Sequence, residues 1–305
     1  MNEQGNSTLS ALGAITMAGP DLERSFDLAA EAISRASAVV ITAGAGIGVD
    51  SGLPDFRGTA GFWRAYPPFA HLGLRFEELA NPALFARDPF LAWGFYGHRL
   101  DLYRRVRPHR GYEILRRWVD GARAGGFVFT SNVDGHFQAA GFSEERVVEC
   151  HGSILHLQCT RPCHREIWSA DGTEVSVDER TLRATGTLPE CPACDTVARP
   201  NVLMFGDWLW VPGRTAEQEA RFRNWLDELD AAEDGLAVIE LGAGTSVPTV
   251  RLTSEHLARR PGARLVRINP RETDVPPGAI AVPTGALRAI EEIDARLRGE
   301  APPCG

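Results

Sequence analysis

Four of the six cysteines stand in two pairs, Cys159 with Cys163 and Cys191 with Cys194. Four thiolates at that spacing suit tetrahedral Zn²⁺ in a closed structural site, which leaves the metal no open position for catalysis. The first pair is one residue wider than the commonest gap, and His164 beside Cys163 is an alternative ligand. Cys150 and Cys304 read as a buried strand thiol and a tail thiol.

A second kind of chemistry is written at Thr42-Ala43-Gly44-Ala45-Gly46-Ile47-Gly48. Glycines just after a strand let backbone N–H groups approach a pyrophosphate, which the start of a helix favours. The third glycine comes one residue early for the dinucleotide fingerprint, and no acid stands about twenty positions later to hold a ribose. A plain strand-to-loop turn is therefore an open alternative at this point. The next run, Ser51-Gly52-Leu53-Pro54-Asp55-Phe56-Arg57-Gly58, sets an acid, an aromatic ring and a cation beside the turn. Those groups suit a nucleotide with a reactive, positively charged ring.

Regular elements must position these residues. Leu22, Phe26, Leu28, Ala29 and Ile33 recur near helical spacing and predict a helix over 21–36. Ala38-Val39-Val40-Ile41-Thr42 reads as a buried strand ended by the glycines. Further buried strands are expected at Phe127–Thr130, Val147–Cys150, Leu236–Leu241 and Leu265–Ile268, with a weaker one at Ala279–Val282. Helical stretches at 110–124, 215–232 and 286–298 separate several of them, which indicates an α/β domain with a mostly parallel sheet. Two segments break the rhythm: 60–110, rich in aromatics and Pro, and 157–198, with the clustered cysteines. Together they are expected to build a smaller, discontinuous domain.

Length and charge narrow the classes. At 305 residues, one large domain plus a smaller one is the natural expectation. A formal net charge of -8 argues against general nucleic-acid binding. No apolar run approaches the roughly 20 residues that span a bilayer, so no membrane association is expected. The first twenty residues hold no Lys or Arg and no sustained apolar block, unlike a secretory signal. A reducing, cytoplasmic location is expected, where paired cysteines bind metal and do not cross-link. All 32 basic residues are arginine, so the chain offers no side-chain amine for acylation.

The run from Gly44 to Arg57 closely resembles the signature of the sirtuin family, NAD-dependent protein-lysine deacylases, in which Gly-Ala-Gly leads into Ser-Gly-Ile-Pro-Asp-Phe-Arg. Other family motifs recur in order between about residues 21 and 295. Thr130-Ser131-Asn132-Val133-Asp134-Gly135 resembles Thr-Gln-Asn-Ile-Asp-Gly, and His151-Gly152-Ser153 resembles the catalytic His-Gly-Ser. Arg199-Pro200-Asn201-Val202-Leu203-Met204-Phe205-Gly206-Asp207 resembles the acyl-lysine-binding strand with its Phe-Gly-Glu ending. Gly242-Ala243-Gly244-Thr245-Ser246-Val247 resembles the Gly-Thr-Ser turn, and Ile268-Asn269 the pair that faces the adenosine ribose. Gly48, Leu53, Ser131 and Asp207 depart from the usual Ser, Ile, Gln and Glu.

The resemblance implies a Rossmann-like, mostly parallel sheet with helices on both faces, spanning residues 20–58, 111–156 and 199–298 and binding NAD. Residues 59–110 and 157–198 would then be the helical part and the zinc module of the small domain, with an arm at 1–19 and a tail at 299–305. It implies a reaction in which the acyl-lysine oxygen attacks the nicotinamide ribose and nicotinamide leaves. A histidine base then activates a ribose hydroxyl, and water releases lysine and O-acyl-ADP-ribose. His151 matches that base; its ordinary pKa near ~6.5 suits the task, although a structural histidine is the plainer alternative. Asn132 and Asp134 would line the nicotinamide ribose pocket with Ser131, or simply form a turn. Asp55, Phe56 and Arg57 would hold the nucleotide and cover the ribose carbon. Gly44, Ala45, Gly46, Gly242, Gly244, Thr245, Ser246 and Asn269 complete the expected NAD contacts, and Val202, Phe205 and Gly206 the acyl-lysine contacts.

Tyr96-Gly97-His98-Arg99 resembles the Tyr-x-x-Arg of the sirtuin subgroup that removes succinyl, malonyl or glutaryl groups. A guanidinium and a phenol can bind a terminal carboxylate, though a helix face supplies such a pair by chance too. The rival readings are an ADP-ribosyltransferase or NAD glycohydrolase, and a non-catalytic NAD-sensing scaffold.

Overall fold

The computed structural model describes residues 20–54, 73–231 and 235–300. Its strands in chain order are β1 (Ala38–Ala43), β2 (Gly126–Thr130), β3 (Val147–Glu149), β4 (Gly152–Cys159), β5 (Trp168–Ser169), β6 (Ser176–Asp178), β7 (Arg183–Thr185), β8 (Ala198–Val202), β9 (Leu236–Leu241), β10 (Arg264–Ile268) and β11 (Ile280–Val282). Six of them form one parallel sheet in the order β11-β10-β9-β1-β2-β3. All six are the strands that the apolar runs predict. Every residue of β1 and β9 is buried, because both faces of the sheet are covered.

Helices Pro20–Ser34, Gly111–Gly121 and Ala286–Leu297 cover one face, where Phe26, Tyr112, Leu115 and Ile290 pack on Val39 and Ile41. Helices Gly213–Ala231 and Thr249–Leu257 cover the other, with Phe222, Trp225 and Leu257 against Val40 and Val238. The chain leaves β1 toward β2 and β3 on one side, and fills β9, β10 and β11 on the other. Strand order therefore reverses beside β1, the place where open parallel sheets bind ligands.

The remaining strands are antiparallel and form two further, smaller sheets. β4 lies between β5 and β8, and β6 pairs with β7. Helix Pro89–Arg105 packs onto this part, with Trp93, Phe95, Leu100, Ile154, Leu157 and Leu182 in a common core. Contact there is close: a Cβ at Gly94 would stand 1.9 Å from the Leu182 carbonyl oxygen. Trp93 also donates its indole N–H to the Ala198 carbonyl at 2.8 Å, tying the helix to β8.

Candidate active site

Five of the expected motifs sit at the carboxyl ends of the parallel strands. Gly44 follows β1, Ser131 follows β2, Cys150-His151 follows β3, Gly242 follows β9 and Asn269 follows β10. A cavity of about 560 Å³ opens over most of these turns. Gly44, Ala45, Ser131, Asn132, Asp134, His151, Gly242, Gly244 and Ser246 line it from the sheet side. Tyr96 and Arg99 of helix Pro89–Arg105, and Val202 and Phe205 at and just beyond the end of β8, line it from the opposite side. Residues spread over most of the sequence thus meet around one space.

The two glycine turns interlock. Gly44 donates its N–H to the Leu241 carbonyl at 3.0 Å, and Gly46 donates to the Gly242 carbonyl at 3.1 Å. Gly242 has φ +59°, and a Cβ there would fall 2.4 Å from Gly46 Cα. The turns therefore need glycine to reach each other, whatever they also do for a phosphate. Gly46 does not line the cavity.

The turn after β2 is fixed by its own hydroxyl. Thr130 Oγ1 donates to the Ala43 carbonyl at 2.9 Å and accepts the Asn132 N–H at 3.0 Å. Asn132 Nδ2 donates to the Gly44 carbonyl at 3.2 Å, and Asp134 Oδ1 accepts the His136 N–H at 2.9 Å. Both side chains are buried, at 9% exposure. His151 sits where the large sheet hands over to the small one. Cys150 N–H donates to the Thr130 carbonyl and Leu203 N–H to the His151 carbonyl, each at 2.9 Å. Burial lowers the His151 pKa, partly opposed by a hydrogen bond with the Ser131 backbone. The imidazole is thus held neutral at neutral pH, the form a base needs.

Tyr96 is fully buried and Arg99 is 6% exposed. Burial raises the Tyr96 pKa to about 12, so its hydroxyl keeps its proton. Nothing among the described residues hydrogen-bonds that hydroxyl. Beyond the cavity floor, Asp207 forms two hydrogen bonds with Arg199, at 2.7 and 2.9 Å, with both side chains buried. Asp207 fixes the end of the β8 segment that carries Val202 and Phe205.

Gly206, Thr245 and Asn269 do not line the cavity. Asn269 is fully buried; its Nδ2 donates to the Ala243 carbonyl at 2.8 Å, and its Oδ1 accepts the Arg271 and Glu272 N–H groups. It braces the turns and so delivers Glu272, which does line the cavity. Glu272 and Tyr103 are lining residues the motifs did not name. A carboxylate placed after a strand end was the available signal for Glu272, and an i+4 step from Arg99 the signal for Tyr103. The Gly48 and Leu53 departures meet each other: a Cβ at Gly48 would lie 3.3 Å from Leu53 Cδ1, and Leu53 reaches the cavity. Asp55, Phe56, Arg57 and Cys304 lie outside the described residues.

The sulfurs of Cys159, Cys163, Cys191 and Cys194 all lie within 4.8 Å of one another. Cys159 Sγ to Cys194 Sγ is 3.7 Å and Cys163 Sγ to Cys191 Sγ is 3.6 Å. Zn–S bonds of ~2.3 Å in a tetrahedron set sulfurs about 3.8 Å apart, so the four cysteines fit one zinc ion. His164 Nε2 instead stands 3.3 Å from Cys191 Sγ, beside the set.

No helix among the described residues is long and apolar enough to cross a membrane. The Sir2 family model matches residues 44–224. NAD-dependent protein deacylase 1 of Caldanaerobacter subterraneus subsp. tengcongensis is 31% identical over 249 residues, covering 81% of this chain and 88% of that one. NAD-dependent protein deacylase 2 of Pyrobaculum aerophilum is 34% identical over 266 residues, covering 85% and 92%. A solved Sir2 homologue–NAD complex matches with a TM-score of 0.66 at 25% identity, over 88% of this chain and 93% of that one. By motif order, fold and overall similarity, the chain belongs to the Sir2, or sirtuin, family.

Proposed function

We propose that the protein is an NAD-dependent protein-lysine deacylase, taking NAD and an acylated lysine to nicotinamide, free lysine and O-acyl-ADP-ribose. The observation that carries this reading is the single cavity shared by the glycine turns, Asn132, Asp134, His151 and the Val202–Phe205 segment. NAD would lie across the carboxyl ends of β1 and β9, its phosphates over Gly44, Ala45 and Gly244. Ser246 and Glu272 would stand at the adenosine end, with the Glu272 carboxylate accepting from ribose hydroxyls. Asn132 and Asp134 would hold the nicotinamide ribose. His151, neutral and half-buried at the junction of the two sheets, would take the proton from a ribose hydroxyl.

The substrate lysine would enter beside Val202 and Phe205, a segment that Asp207 anchors. Zinc would serve the structure only: four cysteines fill its tetrahedron. The reducing compartment those thiols need supports a cytoplasmic location, and the net charge of -8 suits protein substrates better than nucleic acid.

The acyl group is proposed to be acidic. The buried Tyr96 hydroxyl has no partner among the described residues, and the Arg99 guanidinium lines the same cavity. A carboxylate in that cavity would accept from the phenol and from the guanidinium. The test is NAD turnover with acetyl-lysine and succinyl-lysine peptides side by side. The expected result is O-acyl-ADP-ribose from both, with at least a tenfold kcat/KM preference for succinyl. Free ADP-ribose or labelled protein as the sole product would overturn the deacylase reading, and an acetyl preference would overturn the acidic one.

A further inference from the structure

Three residues on one face of helix Pro89–Arg105 reach the cavity: Tyr96, Arg99 and Tyr103. Their steps of three and four residues align them. Tyr103 Oη accepts two hydrogen bonds from Arg99, one from Nε at 3.1 Å and one from Nη2 at 2.7 Å. The guanidinium also lies 5.3 Å from the centre of the Tyr103 ring and 5.2 Å from that of Phe95. Tyr103 thus holds the cation in place by its oxygen and by its face.

A phenol oxygen that accepts twice still has a proton to give. Nothing among the described residues accepts it: each hydrogen bond to Tyr103 runs inward from Arg99. Tyr96 is in the same position, with its hydroxyl buried and unpartnered. Two buried O–H donors beside one guanidinium suit a group that only accepts. An ionised carboxylate is such a group.

Tyr103 also stands at a boundary. It lines the main cavity and, with Asp134, a second cavity of about 460 Å³ bounded by Pro108, Ala139, His136 and Leu155. His136 is 1% exposed, and neither ring nitrogen has a hydrogen-bond partner among the described residues. The space behind Tyr103 is therefore large enough for more chain and has a polar group without a partner.

We propose that Tyr103 determines acyl specificity in two ways: its hydroxyl is a third donor to the carboxylate of a short diacid, and its ring is the wall that limits chain length. The proposal rests on the acidic-acyl reading above and adds a residue that the Tyr-x-x-Arg pattern does not contain.

Steady-state kinetics with acetyl-, succinyl- and adipoyl-lysine peptides on the wild type, Tyr103→Phe and Tyr103→Ala test it. Tyr103→Phe keeps the wall and removes the hydroxyl. The succinyl-over-acetyl ratio of kcat/KM is expected to fall about tenfold, a loss near 1.4 kcal/mol, carried by KM for the succinyl peptide. Tyr103→Ala joins the two spaces, and adipoyl turnover is expected to rise about tenfold relative to succinyl. Should Tyr103→Ala fail to fold, the Phe variant decides alone. A wild type that prefers succinyl, with the ratio unmoved in Tyr103→Phe, overturns the role of Tyr103 only. A wild type without that preference overturns the acidic-acyl reading and this proposal with it. A Phe variant that weakens both peptides equally marks the hydroxyl as structural and overturns the proposal.

Discussion

The two walls of the cavity are built differently. The sheet wall is made of turns, where backbone geometry sets the shape: Gly44 and Gly46 reach Gly242, and Thr130 clamps the Asn132 turn. The helix wall is made of side chains, where Tyr96, Arg99 and Tyr103 project from helix Pro89–Arg105. Turns at strand ends cannot vary much, because each one contacts the next. Side chains on a helix can be exchanged without moving the backbone. The first wall suits the step common to every substrate, and the second suits the choice among substrates.

The largest effect is expected on the sheet wall. His151→Ala should lower kcat about 10³-fold, since a positioned general base contributes between ~10² and ~10⁴. NAD affinity, measured by calorimetry, should stay within about threefold of wild type. A variant that retains more than a tenth of the wild-type kcat would refute the base assignment and with it the functional split between the walls.

Metal removal should separate the walls more gently. Cys159 ends β4 and Cys191 precedes β8, the strand to which Trp93 ties the helix wall. Chelation of Zn²⁺ should loosen that region and weaken peptide binding at least tenfold before NAD binding is lost. Hydrogen exchange followed by mass spectrometry should show deprotection of residues 152–202 ahead of 236–268. Simultaneous loss across both regions would mean that the small domain supports the whole fold.

The same contrast explains what could be read from the sequence. The six parallel strands were legible because buried strands are continuous apolar runs, as in Ala38–Ala43 and Leu236–Leu241. The second sheet had no apolar run to mark it, and only the resemblance at Arg199–Asp207 pointed to β8 as a strand. β4 and β8 carry Gln158, Arg199 and Asn201 among their buried residues, and their register shifts between Ser153 and Leu157, which removes any alternation. His151 and Asn132 were legible as motif positions, whereas the reason for glycine at Gly44 was hidden in the turn at Gly242 and Ala243 far along the chain. Glu272 does not stand out because the dinucleotide fingerprint places its acid about twenty residues after the first glycine turn, whereas Glu272 lines the cavity from beyond β10. Tyr103 was missed because a Tyr on a buried helix face looks like core. Its two bonds to Arg99 exist only in three dimensions.

The smallest expected effect is on pH dependence, and it tests the sheet wall without altering it. His151 acts as a base only when neutral, so kcat/KM should rise with pH through its midpoint and then level off. Burial disfavours the charged imidazole and lowers that midpoint, and the opposing hydrogen bond with Ser131 does not cancel the shift. The acidic limb of the profile should therefore lie below the ordinary histidine value near ~6.5, with full activity held at neutral pH. An acetyl-lysine peptide is the right probe, because it carries no acyl carboxylate to titrate in the same range. A limb centred above ~6.5 would mean that the base is a solvated or anion-paired imidazole, contrary to the desolvated setting that lowers the His151 pKa.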